Sequence, residues 1–158
     1  MSYVFKTMDS PVGRLTLVGG DAGLAALLFG NDRASRRPFG EMTEEVRYPV
    51  LVKAQRELEE YFTGRRRTFT VKLDATGTDF QQLVWDALRT IPYGQTRSYG
   101  QIAEQIGRRT AVRAVGAANH ANPIAIIVPC HRVIGSNGKL TGYAGGLHIK
   151  ARLLALET

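Results

Sequence analysis

Apolar and polar positions change period several times along this chain, and each change marks an element. Tyr3-Val4-Phe5, Leu15-Thr16-Leu17-Val18 and Leu24–Phe29 are short apolar runs separated by Asp9-Ser10-Pro11-Val12-Gly13 and Gly19-Gly20-Asp21. Runs of that length between turn-forming residues predict antiparallel strands. Residues 30–45 show no period and read as a surface loop. From Pro49 the apolar positions Val50, Leu51, Ala54, Leu58, Tyr61 and Phe62 follow helical spacing, with proline tolerated in the first turn and Thr63-Gly64 as the stop. Arg65-Arg66-Arg67 reads as a solvated turn, and the alternation from Phe69 to Leu73 predicts one more strand.

Past Asp74-Ala75-Thr76-Gly77 the pattern becomes helical. Thr78 with Gln81 is a capping-box pair, and Phe80, Leu83, Val84, Ala87, Leu88 and Ile91 mark one face of the helix that follows. Trp85 reads as packing, and Pro92-Tyr93-Gly94 ends the segment. Ser98 with Gln101 repeats the capping signal for a short helix from Tyr99 to Ile106, stopped by Gly107. Thr110 is placed to cap another helix over Ala111–Ala118, so the two form a helix-turn-helix pattern. The run Ile124-Ala125-Ile126-Ile127-Val128 predicts a buried strand or extended segment. Gly135-Ser136-Asn137-Gly138-Lys139 predicts a hairpin turn, and residues 147–156 predict a closing helix with Ile149, Leu153 and Leu156 on one side.

The fold class expected is therefore α/β in the α+β sense. Residues 1–75 form a small domain of antiparallel strands plus a helix that serves as a scaffold. Residues 76–158 form a mostly helical domain with the helix-turn-helix. The 158 residues carry a formal net charge of +7. Residues 1–75 contribute 12 Lys+Arg against 10 Asp+Glu, and residues 76–158 contribute 9 against 4. The excess lies in the second half, which is where a polyanionic partner is expected to dock. No apolar stretch reaches membrane-spanning length and no signal sequence opens the chain, so no membrane association is expected.

Cysteine occurs once, at Cys130, within Pro129-Cys130-His131-Arg132. One thiol cannot form an intramolecular disulfide, which fits a reducing cytoplasm. A neighbouring imidazole and guanidinium are electropositive groups that favour thiolate. On an extended chain, however, adjacent side chains point to opposite faces, so the sulfur meets the His131 ring only through a bridging water or a local turn. A nucleophile–base pair also needs a third group to hold the base, and Glu157 on the last helix is a carboxylate that can reach back. Three scattered histidines and one cysteine offer no metal-ligand spacing.

Pro-Cys-His-Arg after Asn122-Pro123 and the Ile/Val run, followed by Val133-Ile134-Gly135 and by Gly142-Tyr143-Ala144-Gly145-Gly146-Leu147, closely resembles the active-site segment of the O6-alkylguanine-DNA alkyltransferases, the methylated-DNA–protein-cysteine methyltransferase family. The resemblance is strong from about Thr78 to Glu157 and looser before it. It implies a cytoplasmic DNA repair protein that works once and without a cofactor. Such a protein flips an O6-alkylguanine out of double-stranded DNA from the minor groove and takes the alkyl group irreversibly onto Cys130. It further implies a Cys–water–His–Glu relay at Cys130, His131 and Glu157. Tyr99 would help rotate the phosphate and Arg113 would fill the vacated stack. Ala111, Ala114 and Ala118 would be small residues lying close to the groove, and Asn122 would tie the helix to the active-site segment. The guanine pocket would take Tyr99, Tyr143, the carbonyls of Cys130 and Val133, and the amide of Ala144. A monomer is expected, with cooperative assembly on DNA possible. Two departures stand out: Val112 where a second alanine is common, and Ala144 where some relatives have serine. The competing classes are a DNA-binding module without chemistry, whose relatives replace the cysteine, and a thiol hydrolase, for which no protease signature surrounds Cys130.

Overall fold

A computed structural model describes residues 2–30 and 37–158. It divides into two compact units, Met1–Thr76 and Gly77–Thr158. In the first, strands β1 (Tyr3–Met8), β2 (Leu15–Gly20), β3 (Gly23–Phe29) and β4 (Met42–Glu44) form one sheet in the order β3-β2-β1-β4. The first three pair antiparallel, and β4 runs parallel to β1. Helix α1 (Pro49–Phe62) lies against this sheet and buries Leu51, Ala54, Leu58 and Tyr61, the stripe its apolar spacing predicts.

Two expectations fail in this unit. The stretch read as a loop contains a 3-10 turn (Arg37–Phe39) and β4, while residues 31–36 lie outside the described residues. Its apolar side chains explain the order. Phe39 stands edge-on to Tyr3 with ring centroids 5.1 Å apart, and Phe39 and Met42 pack with Val18, Ala26 and Leu28 on one face of the sheet. The strand expected at Phe69–Leu73 is reduced to a single bridge, with Leu24 donating to the Lys72 carbonyl at 2.8 Å and Asp74 to the Leu24 carbonyl at 2.7 Å. Side-chain bonds take the place of a ladder. The fully buried Glu57 of α1 accepts from the Thr70 amide (2.9 Å), the Thr70 hydroxyl (2.6 Å) and the Val71 amide (3.0 Å), with Arg66 at 3.5 Å.

That carboxylate carries a testable consequence. Burial pushes the Glu57 carboxyl up, but the Thr70 and Val71 hydrogen bonds and Arg66 together bring it below its ordinary value. A lowered folded-state value stabilises above the unfolded-state range and is lost as pH falls through it. Glu57→Ala is expected to cost about 2–3 kcal/mol at pH 7 by leaving those donors unmatched. In chemical denaturation the gap from the parent protein should narrow toward pH 3; a gap independent of pH would show that only packing was lost.

The second unit contains α2 (Asp79–Leu88), α3 (Tyr99–Gln105), α4 (Val112–His120) and α5 (Leu147–Leu156), with a two-residue parallel pairing of β5 (Arg97–Ser98) and β6 (Val133–Ile134). Both predicted capping boxes form: Thr78 and Ser98 accept from the amides of Gln81 and Gln101, whose side chains return the bond. Trp85 is packed, donating its indole N–H to the Ala118 carbonyl at 2.8 Å. Leu83, expected on the inner face of α2, is exposed. Ala111, not Thr110, is the N-cap of α4, without a side-chain cap bond, and the helix runs on to His120.

Candidate functional site

The apolar run before Cys130 is not a strand. Val128 donates to the Ile124 carbonyl and Ile127 to the Ala125 carbonyl, both at 2.9 Å, closing a tight turn in which Ile126 has φ +74°. All five residues are buried, so burial matches the expectation and only the conformation differs. A β-branched residue in the left-handed region is held there against about 1–3 kcal/mol of strain. Asn122 supplies part of the hold. Its amide nitrogen donates to the Val128 carbonyl at 2.8 Å and its oxygen accepts from the Ile124 amide at 3.0 Å.

Out of that turn Cys130–Arg132 continues as a single 3-10 turn. Successive side chains of such a turn lie about 120° apart, not on opposite faces as on an extended chain. The His131 ring is fully buried with Nε2 2.7 Å from Oε2 of Glu157, the C-cap residue of α5. Its other nitrogen, Nδ1, is buried and has no hydrogen-bond partner among the described residues. Arg132 grips the same carboxylate, Nε to Oε1 at 2.8 Å and Nη2 to Oε2 at 3.0 Å. The Gly94 amide approaches Oε1 at 3.4 Å.

Electrostatics at the sulfur differ from the sequence expectation. The Arg132 guanidinium is committed to Glu157, and the nearby cation is Lys150, a fully buried lysine of α5 whose Nζ donates to the Thr141 carbonyl at 3.1 Å. Burial pushes the Cys130 thiol up, and the Asn122 amide, Lys150 and the Tyr143 hydroxyl recover only part of that. Burial likewise pushes the His131 imidazole down, against the pull of Glu157. Both groups are held toward their neutral forms. Desolvation also lowers Lys150, with the Cys130 charge acting the other way.

The remaining residues distribute as follows. Tyr99, the half-buried first residue of α3, hydrogen-bonds through its hydroxyl to the Thr141 hydroxyl. A Cβ on Gly116 of α4 would lie 3.9 Å from the Tyr99 ring, an ordinary contact distance between α4 and the start of α3. Arg113 and Ala114 are exposed on α4 and Ala111 is half-buried at its start. Ala118, expected beside a groove, is instead 3% exposed, with its carbonyl bound to Trp85; it is a packing residue. Val133 and Tyr143 are buried and Ala144 is exposed. The Gly135–Lys139 turn forms, with Gly135 donating to the Lys139 carbonyl at 2.9 Å and Gly138 at φ +79°, but no strand pairing follows it.

Sequence reasoning missed Lys150 and the grip of Arg132. Lys150, Leu153 and Glu157 recur at spacings of three and four on the last helix and its cap, and all are buried. That spacing was the available signal, masked because lysine and a near-terminal glutamate usually face water.

A buried thiol followed in the chain by an imidazole anchored to a carboxylate, carried on a mostly helical unit that follows a sheet-and-helix unit, defines a protein with a cysteine nucleophile–base–carboxylate site. Known proteins narrow that class. Residues 3–75 match the ribonuclease-like domain of 6-O-methylguanine DNA methyltransferase, and residues 79–158 match its DNA binding domain. A methylated-DNA–protein-cysteine methyltransferase of Mycolicibacterium paratuberculosis is 54% identical over 97% of this chain and 91% of its own length. One from Methanosarcina acetivorans is 50% identical over 97% of both. The crystal structure of the Mycobacterium tuberculosis O6-methylguanine methyltransferase superimposes with a TM-score of 0.88 at 52% identity, covering 98% of this chain and 92% of that one. A structure of M. tuberculosis OGT in complex with DNA gives the same TM-score and identity over 99% and 92%. The chain belongs to the methylated-DNA–protein-cysteine methyltransferase family.

Proposed function

We propose that this protein repairs O6-alkylguanine in double-stranded DNA by moving the alkyl group onto Cys130, once per molecule. The observation that carries the reading is the His131 ring, with one nitrogen on Glu157 and the other buried and without a partner among the described residues, immediately after the one cysteine in the chain. A bridging water at Nδ1 would pass the thiol proton to the imidazole. The imidazolium that forms is stabilised by the carboxylate behind it, as in other nucleophile–base–carboxylate sets. The thiolate attacks the alkyl carbon, a C–S bond forms, and the C–O6 bond breaks with its electron pair passing to guanine, which takes up one proton. The thioether has no easy return, so the protein is consumed.

A methyl carbon on O6 is out of reach in a stacked duplex, and the base must leave the stack first. Helices α3 and α4 form the helix-turn-helix that enters the minor groove, with exposed Arg113 filling the gap, exposed Ala114 and half-buried Ala111 close to the sugars, and Tyr99 at the phosphate and guanine N3. Tyr99 would have to exchange its Thr141 partner for the DNA. Tyr143, the Cys130 and Val133 carbonyls and the Ala144 amide line the base site, and Asn122 ties the recognition helix to the thiol turn. Residues 77–158 thus bind DNA and carry the site, with the first unit as scaffold. The protein acts as a cytoplasmic monomer, and cooperative assembly on DNA is compatible with this reading. No helix among the described residues is long and apolar enough to cross a membrane.

The decisive experiment is incubation with a duplex containing O6-methylguanine, followed by intact-mass and peptide analysis. One added methyl, located on Cys130, with the reaction stopping at one equivalent, is expected. Turnover beyond one equivalent, or methyl on another residue, would overturn the assignment.

A further inference from the structure

The carboxylate behind His131 is shared. Oε2 accepts from both His131 Nε2 and Arg132 Nη2, while Oε1 accepts from Arg132 Nε. The guanidinium that makes this fork is 6% exposed and held from two other directions. Its Nη1 donates to the Ile91 carbonyl at 2.7 Å, and its carbon sits 5.8 Å from the centre of the Tyr93 ring, whose hydroxyl donates to the Leu156 carbonyl at 3.3 Å. Glu157 itself sits beyond the last turn of α5, where a chain tends to fray. Arg132 is therefore the fixed body and Glu157 the piece that it places.

We propose that Arg132 is the positioning residue of the relay: its fork fixes the Glu157 carboxylate so that His131 keeps its proton on Nε2 and offers Nδ1 as the acceptor for the thiol proton. The reasoning is one of charge and count. A buried carboxylate answered only by an imidazole draws a second proton onto that ring, and an imidazolium has donors on both nitrogens and accepts nothing. With Arg132 supplying the counter-charge, Glu157 is satisfied as an anion while the ring stays neutral. Around His131, burial is the largest influence and lowers its proton affinity; Glu157 pulls it up, and Arg132 and Lys150 push it back down. The Arg132 fork also uses the geometry that a lysine lacks, two parallel N–H groups in one plane.

This inference rests on the alkyl-transfer reading, and its test separates the two. The probe is iodoacetamide, which alkylates the one cysteine without DNA, followed by mass over a pH series; nitrogen NMR of the parent protein reads the His131 tautomer. The parent is expected to show neutral His131 protonated on Nε2 at pH 7. In Arg132→Met the imidazolium is favoured, so the acid limb of the Cys130 rate should move up by about one unit, close to tenfold slower at low pH and converging on the parent at high pH. Arg132→Lys keeps the charge and should leave the limb in place, with a several-fold loss at every pH from the missing second donor. A parent ring that is cationic or protonated on Nδ1 at pH 7 would overturn the proposal without any variant. So would an Arg132→Met rate lowered equally at all pH values, which marks a purely structural anchor. If the NMR and iodoacetamide results stand but the O6-methylguanine duplex leaves no methyl on Cys130, the function fails and the positioning role survives.

Discussion

Cys130→Ser should abolish methyl transfer completely while changing affinity for an O6-methylguanine duplex by no more than about twofold. As thiolate, sulfur is the strongest nucleophile the site offers; a serine hydroxyl at the same place stays protonated at any pH the protein tolerates. The fold should survive, since oxygen replaces sulfur atom for atom with a smaller radius and the hydroxyl can use the Asn122 and Tyr143 partners that now serve the sulfur. The affinity expectation follows from where binding energy originates. In the proposed complex the exposed basic residues Arg108 and Arg109 would supply charge for phosphates, whereas Cys130 is buried. The measurement pairs intact mass after incubation with a fluorescence titration of the same duplex. Loss of binding along with transfer would mean that the thiol holds the site together and does not simply react in it.

How much of this was readable beforehand follows the range of the interactions involved. Capping boxes at Thr78–Gln81 and Ser98–Gln101 span four residues each, and both form as read. Helix α1 was read from its period together with Pro49 and the Thr63-Gly64 stop, and α5 from its period; their predicted bounds are the observed ones. Strand β4 could not be read this way, because Met42–Glu44 is ordered by pairing with β1, some forty residues earlier, and by Phe39 and Met42 packing on the sheet. Hydrophobicity without period was equally uninformative at Ile124–Val128: such a run fits a buried strand or a buried turn, and positive φ at Ile126 left no mark in a sequence where glycine would be the usual signal.

The site shows the same division. Cys130, His131 and Glu157 were named in advance, and the structure brings the latter two into contact. What sequence could not supply was the distribution of charge among them. Arg132 looked like a neighbour that would help the thiol ionise; its fork goes to Glu157 instead, because a buried carboxylate with two oxygens is the better partner for a planar guanidinium. The cation near the sulfur is Lys150, twenty residues downstream, placed by the face of α5 and not by adjacency. Adjacency in sequence proved a poor guide to electrostatic neighbourhood wherever the backbone turned.

Glu157→Ala should strongly destabilise the second unit, and Glu157→Gln is the change that separates its two duties. Removing the carboxylate strands His131 Nε2 and two nitrogens of Arg132 in the interior, and breaking one side of a buried ion pair costs about 3–5 kcal/mol. For a unit of this size that corresponds to a melting temperature lower by on the order of 15 °C or more. Glutamine keeps the shape and still offers Arg132 an oxygen, so its thermal loss should be markedly smaller. Its amide, however, supplies only one acceptor where Arg132 Nε, Arg132 Nη2 and His131 Nε2 claim both oxygens. If the amide nitrogen turns to His131, two N–H groups confront each other unless the ring moves its proton to Nδ1. The acceptor that the thiol needs is then gone, and transfer should fall by about 10²–10⁴-fold in a protein that remains folded. Calorimetry together with single-turnover transfer from an O6-methylguanine duplex reads both effects. A Glu157→Gln protein that is stable and transfers at the parent rate would reduce Glu157 to an anchor for the end of α5, and the route for the thiol proton would have to run elsewhere.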